Sequence, residues 1–298
     1  MQYNLPQRSN EVLQEILYTS ENVVDTFLDK QYKILIKLAK TELLSFYDTL
    51  ERDSNGRITE KGSTEWVTKI AILENKLISI LQGVDYNVGI NNYLSDYEKI
   101  KALNYELHTK LNGIVDFDKL EESLTIKERF ITSKVLYELK QGGIKLNFVE
   151  PTKRVLISAI TLGSSITDAK KQITELYKLN GETNNNRLKS YIGQVARDAV
   201  YSYNGAINQT IADGYGLTKY AYLGGVVADS RPFCTKYHGT EIDKKDLSNI
   251  LTTYLSSPNL SAGMFAVNAT AYETNSFTYR GGWNRRHIPI PMNYKNNG

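Results

Sequence analysis

The sequence predicts an α+β fold, mainly α: an elongated helical N-terminal region followed by a small, loop-rich α/β C-terminal module. Three observations carry that expectation. Apolar residues recur at spacings of three, four, seven and eight through most of the first two thirds of the chain. The breaks between those runs are rich in glycine, asparagine and serine, where helices end and turns form. From Leu217 onward the helical period gives way to aromatic and β-branched alternation followed by proline- and glycine-rich sequence. The domain reading that follows is a helical region over 1–150, either a bundle or an arm, a second helical region over 151–216, and the α/β module over 217–298.

The first helix is expected to start at a Ser9 or Asn10 cap and run towards Leu50, with Leu13, Ile16, Val24, Phe27, Leu35, Leu38 and Phe46 on its apolar stripe. Asp53-Ser54-Asn55-Gly56 ends it as a turn. Ser63 or Thr64 starts a second helix carrying Trp66, Ile70, Leu73, Leu77 and Leu81, with Gly83 placed for a left-handed cap. A third helix is expected over 90–111, stopped by Asn112-Gly113, and a fourth over 117–139, stopped by Gly142-Gly143. Pro151 suits a first helical position ahead of the run from Val155 to Leu162. Ser164, Ser165 and Thr167 precede a short helix over 169–179, and residues 181–186 read as a linker. A long helix over 187–213 follows, with small residues on one face and Gly214 and Gly216 at its end. Lys219 to Val227 reads as a strand, residues 243–256 as one short helix, and Ile288-Pro289-Ile290-Pro291 as extended chain.

Composition narrows the class without naming a chemistry. With 41% apolar and 23% charged residues, the 298-residue chain has the balance of a globular protein able to bury a sizeable core. There are 21 Tyr against 8 Phe and 2 Trp; an AT-rich coding sequence or surfaces buried against other chains would each produce that skew. A net charge of +3 is too small to indicate a nucleic-acid partner. The one local excess follows Glu273, where Arg280, Arg285, Arg286 and Lys295 occur without an acidic residue. The single Cys234 rules out an intrachain disulfide. No run of 18 apolar residues is present, so no membrane helix is expected, and the polar first ten residues lack a signal-peptide core.

Three fragments of the C-terminal module stand out. The first contains Asp229, Arg231 and Cys234; the second is His238-Gly239; the third contains Gly281, Gly282, Asn284, Arg286 and His287. Asp229 is a turn former, Arg231 carries a rigid guanidinium fork, and Gly281-Gly282 permits a tight turn. In this order, behind a long helix and a strand, Asp229, Arg231, Cys234, Gly239, Gly281, Gly282, Asn284, Arg286 and His287 resemble the motif of the phage Mu F-like minor head proteins. The resemblance spans about residues 190–292. It implies a structural minor head protein of a tailed bacteriophage, present in several copies, associated with the portal or capsid protein and able to contact packaged DNA. It implies a virion component made in the host cytoplasm, acting in head assembly or DNA delivery, with no membrane partner.

The family's last segment usually holds a second cysteine where this chain has Arg285. A paired-cysteine site is therefore lost. Cys234, His238 and His287 still offer three zinc ligands, with Asp229 or Glu241 as a fourth, although isolated histidines and cysteines more often serve packing. No cofactor is otherwise expected. Cys234 with either histidine formally provides a nucleophile and a base, but no phosphate-binding loop, nucleophile elbow or zinc-protease helix is present. The expectation is a non-enzyme. The alternatives are a helical interaction protein carrying a small metal- or ligand-binding domain, and a Cys-dependent hydrolase.

Overall fold

The fold is mainly α, with one small antiparallel sheet, as seen in a computed structural model that describes residues 5–59, 65–113, 115–177, 187–224, 232–246, 249 and 287–292. Its first helix, α1 (Gln7–Asp48), opens earlier than Ser9 or Asn10. The Asn10 N–H donates to Pro6 O, so Pro6 stands at the helix start and Ser9 is buried inside the helix. Proline suits that place because it has no N–H to leave unpaired. Of the seven apolar positions expected to face inward, all but Leu38 are buried. The Asp53 turn forms as expected: the Asp53 carboxylate accepts from the N–H groups of Asn55 and Arg57, and Gly56 takes a positive φ.

Two helix ends fall where the glycines predicted them, but without a left-handed cap. Gly83, between α2 (Glu65–Gln82) and α3 (Val84–Ser95), lacks a positive φ; its carbonyl accepts from the Asn87 N–H and side-chain amide, so it joins two helices. The helix expected over 90–111 is accordingly two, α3 and α4 (Tyr97–Asn112), the latter stopped at Gly113 with φ 80°. Gly142-Gly143 does not terminate α5 (Glu121–Lys140) in a left-handed cap either. Helix resumes at once as α6 (Gly142–Ile144), a π turn over Lys145–Val149, and α7 (Glu150–Thr161) with Pro151 in its first turn. The reason for glycine is space. A Cβ on Gly143 would sit 1.8 Å from Tyr191 Oη and 2.0 Å from Glu138 Oε2.

Helix α8 (Ile166–Tyr177) is capped by Ser165, whose Oγ accepts from the Asp168 N–H while donating to the Asp168 carboxylate, a reciprocal pair that satisfies an otherwise orphan donor. Helix α9 (Arg187–Tyr215) ends at Gly216, φ 64°. The expected linker over 181–186 lies outside the described residues.

The chain forms two compact units built from interleaved segments. The first comprises 1–25, 93–135 and 194–298. Here residues 198–212 of α9 are buried without interruption, so this stretch of the helix is enclosed on all sides. The sheet of this unit has the order β2-β1-β3, with β1 (Lys219–Gly224) paired antiparallel to both β2 (Thr240–Asp243) and β3 (His287–Met292). Ala221, Leu223, Ile288, Ile290 and Met292 join Val12, Leu13 and Ile16 of α1, Leu107 of α4 and Tyr201 of α9 in one apolar cluster. Residues 225–227 of the expected strand, and most of the helix expected over 243–256, lie outside the described residues.

The second unit comprises 26–92 and 136–193. Helix α2 packs against the π turn and α7, and α7 against α8. Glu74 on α2 receives Lys145 at 3.1 Å and Lys153 at 2.7 Å. Those two hydrogen-bonded lysines hold its carboxyl below the usual carboxylate range. Tyr47 donates to Ala169 O and Tyr86 to Leu139 O. No helix of the described residues is long and apolar enough to cross a membrane.

The Gly143 contacts give a direct expectation. Gly143→Ala must displace the Tyr191 hydroxyl from Glu138, to which it donates at 2.7 Å, and overpacking of this kind costs about 1–3 kcal/mol. Urea unfolding should show that loss, whereas an unchanged midpoint would mean the joint is loosely packed.

Candidate functional site

The sheet brings together two of the three fragments singled out in the sequence. Helix α10 (Pro232–Tyr237) leads from the first fragment into the turn at His238-Gly239. Gly239 adopts φ 70°, a left-handed conformation that favours glycine, and its N–H donates to Tyr222 O of β1. Thr240 Oγ1 donates to Tyr237 O, closing the same turn from the other side. His238 is thereby held over β1.

His287 reaches the same place from the far end of the chain. It is the first residue of β3 and lies opposite Gly224 of β1. Its ring stacks on Tyr222, centroids 5.0 Å apart and planes 9° from parallel. His287 Nε2 and His238 Nδ1 are 3.2 Å apart, with the rings nearly perpendicular at 84°. His287 is 2% exposed and His238 is half-buried. Two neutral imidazoles at this distance can share one hydrogen bond, or aim both facing lone pairs at a cation.

Of the other motif residues, Asp229, Arg231, Gly281, Gly282, Asn284 and Arg286 lie outside the described residues. Cys234 falls within α10, its side chain likewise outside. Among the described residues no group of three or more His, Cys, Asp or Glu is placed to hold a metal. His238 and His287 of the expected zinc set do meet.

A second polar constellation was not anticipated. It lies in the first unit, along α9. Asn104 Nδ2 of α4 donates to Asn204 Oδ1 at 2.8 Å, and Asn204 Nδ2 donates to Ser20 Oγ of α1 at 3.1 Å. One turn further on, His108 Nε2 donates to Asn208 Oδ1 at 2.6 Å. Because 104 and 108, like 204 and 208, are four apart, the two pairs stack along facing helices. Tyr93 continues the line, donating to Ala196 O at 2.7 Å, and Tyr97 stacks on Tyr203 at 4.5 Å. The signal in the sequence was Asn204 and Asn208, two amides at helical spacing in the middle of a long helix.

Burial sets the protonation of this seam. It pushes the Tyr93 hydroxyl above the ordinary tyrosine value, which keeps it a donor. It pushes His108 down to about 4, more than offsetting the hydrogen bond to Asn208, so the imidazole is neutral at physiological pH. The arrangement places hydrogen bonds where helices meet.

No protein-family model, curated protein or solved structure matches the chain.

His108 makes stability depend on pH in a definite direction. Its folded value lies below the unfolded value of 6.5, so the unfolded chain binds the proton more readily. Its contribution is intact above pH 6.5 and is lost as pH falls towards 4, by roughly 3 kcal/mol in all. His108→Gln, which keeps a donor for Asn208, should flatten the stability profile between pH 6.5 and 4 relative to the parent. Parallel profiles for the two proteins would contradict the assignment.

Proposed function

We propose that the protein is a structural minor head protein of a tailed bacteriophage, associated with the portal or capsid protein and acting in head assembly or DNA delivery. The observation that carries this reading is the meeting of His238-Gly239 and His287 across β1, two fragments of the Mu F-like pattern separated by 49 residues. The motif order has a physical rationale in this arrangement. A long helix delivers the chain to β1, Gly239 turns it back, and the last fragment feeds the outer strand β3. A pattern that serves to close a small sheet belongs to a module used for its shape.

The rest of the described chain supports a scaffold. Its polar residues are spent on holding helices in register, as at Asn104, Asn204, His108 and Asn208. In this reading the portal or capsid contacts the protein in several copies, and the basic residues after Glu273 face packaged DNA. It is made in the host cytoplasm and carried in the virion.

Co-expression with the portal and major capsid proteins of its own genome tests the proposal. The protein should sediment with assembled portals or heads and resist a moderate salt wash. If it remains at the top of the gradient while portals and heads assemble in full, the proposal fails.

A further inference from the structure

The His238–His287 pair has a geometry that suits a shared hydrogen bond and a shared metal ion alike. Zinc binds imidazole nitrogen at about 2.0–2.1 Å in a tetrahedral shell, which separates two ligand nitrogens by about 3.3–3.4 Å. The facing nitrogens here are 3.2 Å apart. They belong to residues 49 positions apart, so the coincidence is produced by tertiary structure and not by a local turn. The His287 ring and the backbone that carries His238 are both positioned from outside the pair. Tyr222 stacks on His287, and the Gly239 N–H bond to Tyr222 O fixes the turn that carries His238. Positioning of this kind lowers the cost of ordering two ligands around an ion.

We propose that His238 Nδ1 and His287 Nε2 are two ligands of a divalent transition-metal site, zinc in class. Imidazole nitrogen suits zinc, nickel and copper and is a poor ligand for magnesium or calcium. Loading needs no net loss of a proton from two neutral rings. The hydrogen between the facing nitrogens leaves, and the ring that carried it is reprotonated on its far nitrogen, giving His238 Nε2–H and His287 Nδ1–H. The metal then replaces one N–H···N bond with two metal–nitrogen bonds, tying the start of β3 to the turn between α10 and β2. Cys234 stands four residues before His238 in the sequence; the proposal does not depend on it. Nor does it depend on the virion reading, because it concerns the isolated chain.

The test uses the full chain, purified without a histidine tag and stripped with EDTA. Titration with Zn²⁺ should show one equivalent bound and a rise in Tm of about 3–8 °C at saturation. His238→Ala should weaken binding at least about tenfold. His238→Gln retains a hydrogen-bonding side chain at the half-buried position; in EDTA its Tm should stay within about 2 °C of the parent, yet it should lose the zinc-induced rise. Absence of stoichiometric zinc binding by the parent overturns the proposal. So does undiminished binding by a folded His238→Gln, which would put the metal elsewhere. The assembly experiment can fail while this one succeeds, and the reverse.

Discussion

Helix α9 is buried around its full circumference from residue 198 to 212, yet Asp198, Ser202, Asn204, Asn208, Gln209 and Thr210 lie within that stretch. A polar group taken out of water without a partner costs far more than a satisfied one contributes. The surrounding helices are therefore constrained by chemistry as well as by apolar shape. Asn104 and His108 on α4 and Ser20 on α1 must arrive at particular heights along α9. Sliding α4 by one residue would break both amide pairs at once and swing them onto another face. The apolar cluster between sheet and helices supplies the driving force, and the polar seam selects one register from those the apolar contacts would allow.

Tyrosine extends the same logic. Among the described residues, seven of the nine largest fully buried side chains are tyrosines, so the aromatic excess has a role inside the protein. Tyr47, Tyr86 and Tyr93 each fill core volume with the ring and donate from the tip to a main-chain carbonyl on a distant segment. Phenylalanine in those places would fill the space and leave the joint unspecified. Both explanations considered from composition alone, coding bias and external interfaces, overlook this use because neither asks where the hydroxyls go.

The helices were legible because their apolar spacing is regular, and the turns at Asp53, Gly113 and Gly216 because positive φ demands such residues. Gly83 and Gly142-Gly143 do mark helix ends, but the reason for glycine there was not legible. Sequence shows that a Cβ is missing and does not show whether the gain is backbone freedom or room for Tyr191. The interleaved composition of the two units was not visible either, since α1, α3, α5 and α9 each run through a unit boundary without a break in periodicity. At the candidate site, His238 and His287 could be named from the sequence, but their 3.2 Å approach depends on strand pairing between residues 63 to 73 positions apart. The seam along α9 went unread because single amides in a helix look like solvent-facing residues until burial is known.

Strand β3 holds one further consequence. Pro289 and Pro291 are two apart, so their ring nitrogens point to the same side of the strand, away from the ladder with β1 that Ile288 and Ile290 complete. An incoming strand on that flank would meet a row of acceptors with the matching donors removed. The sheet is thus barred from growing by edge-to-edge addition there, which guards against templated aggregation. A partner strand that extended the described sheet would have to add on the opposite flank.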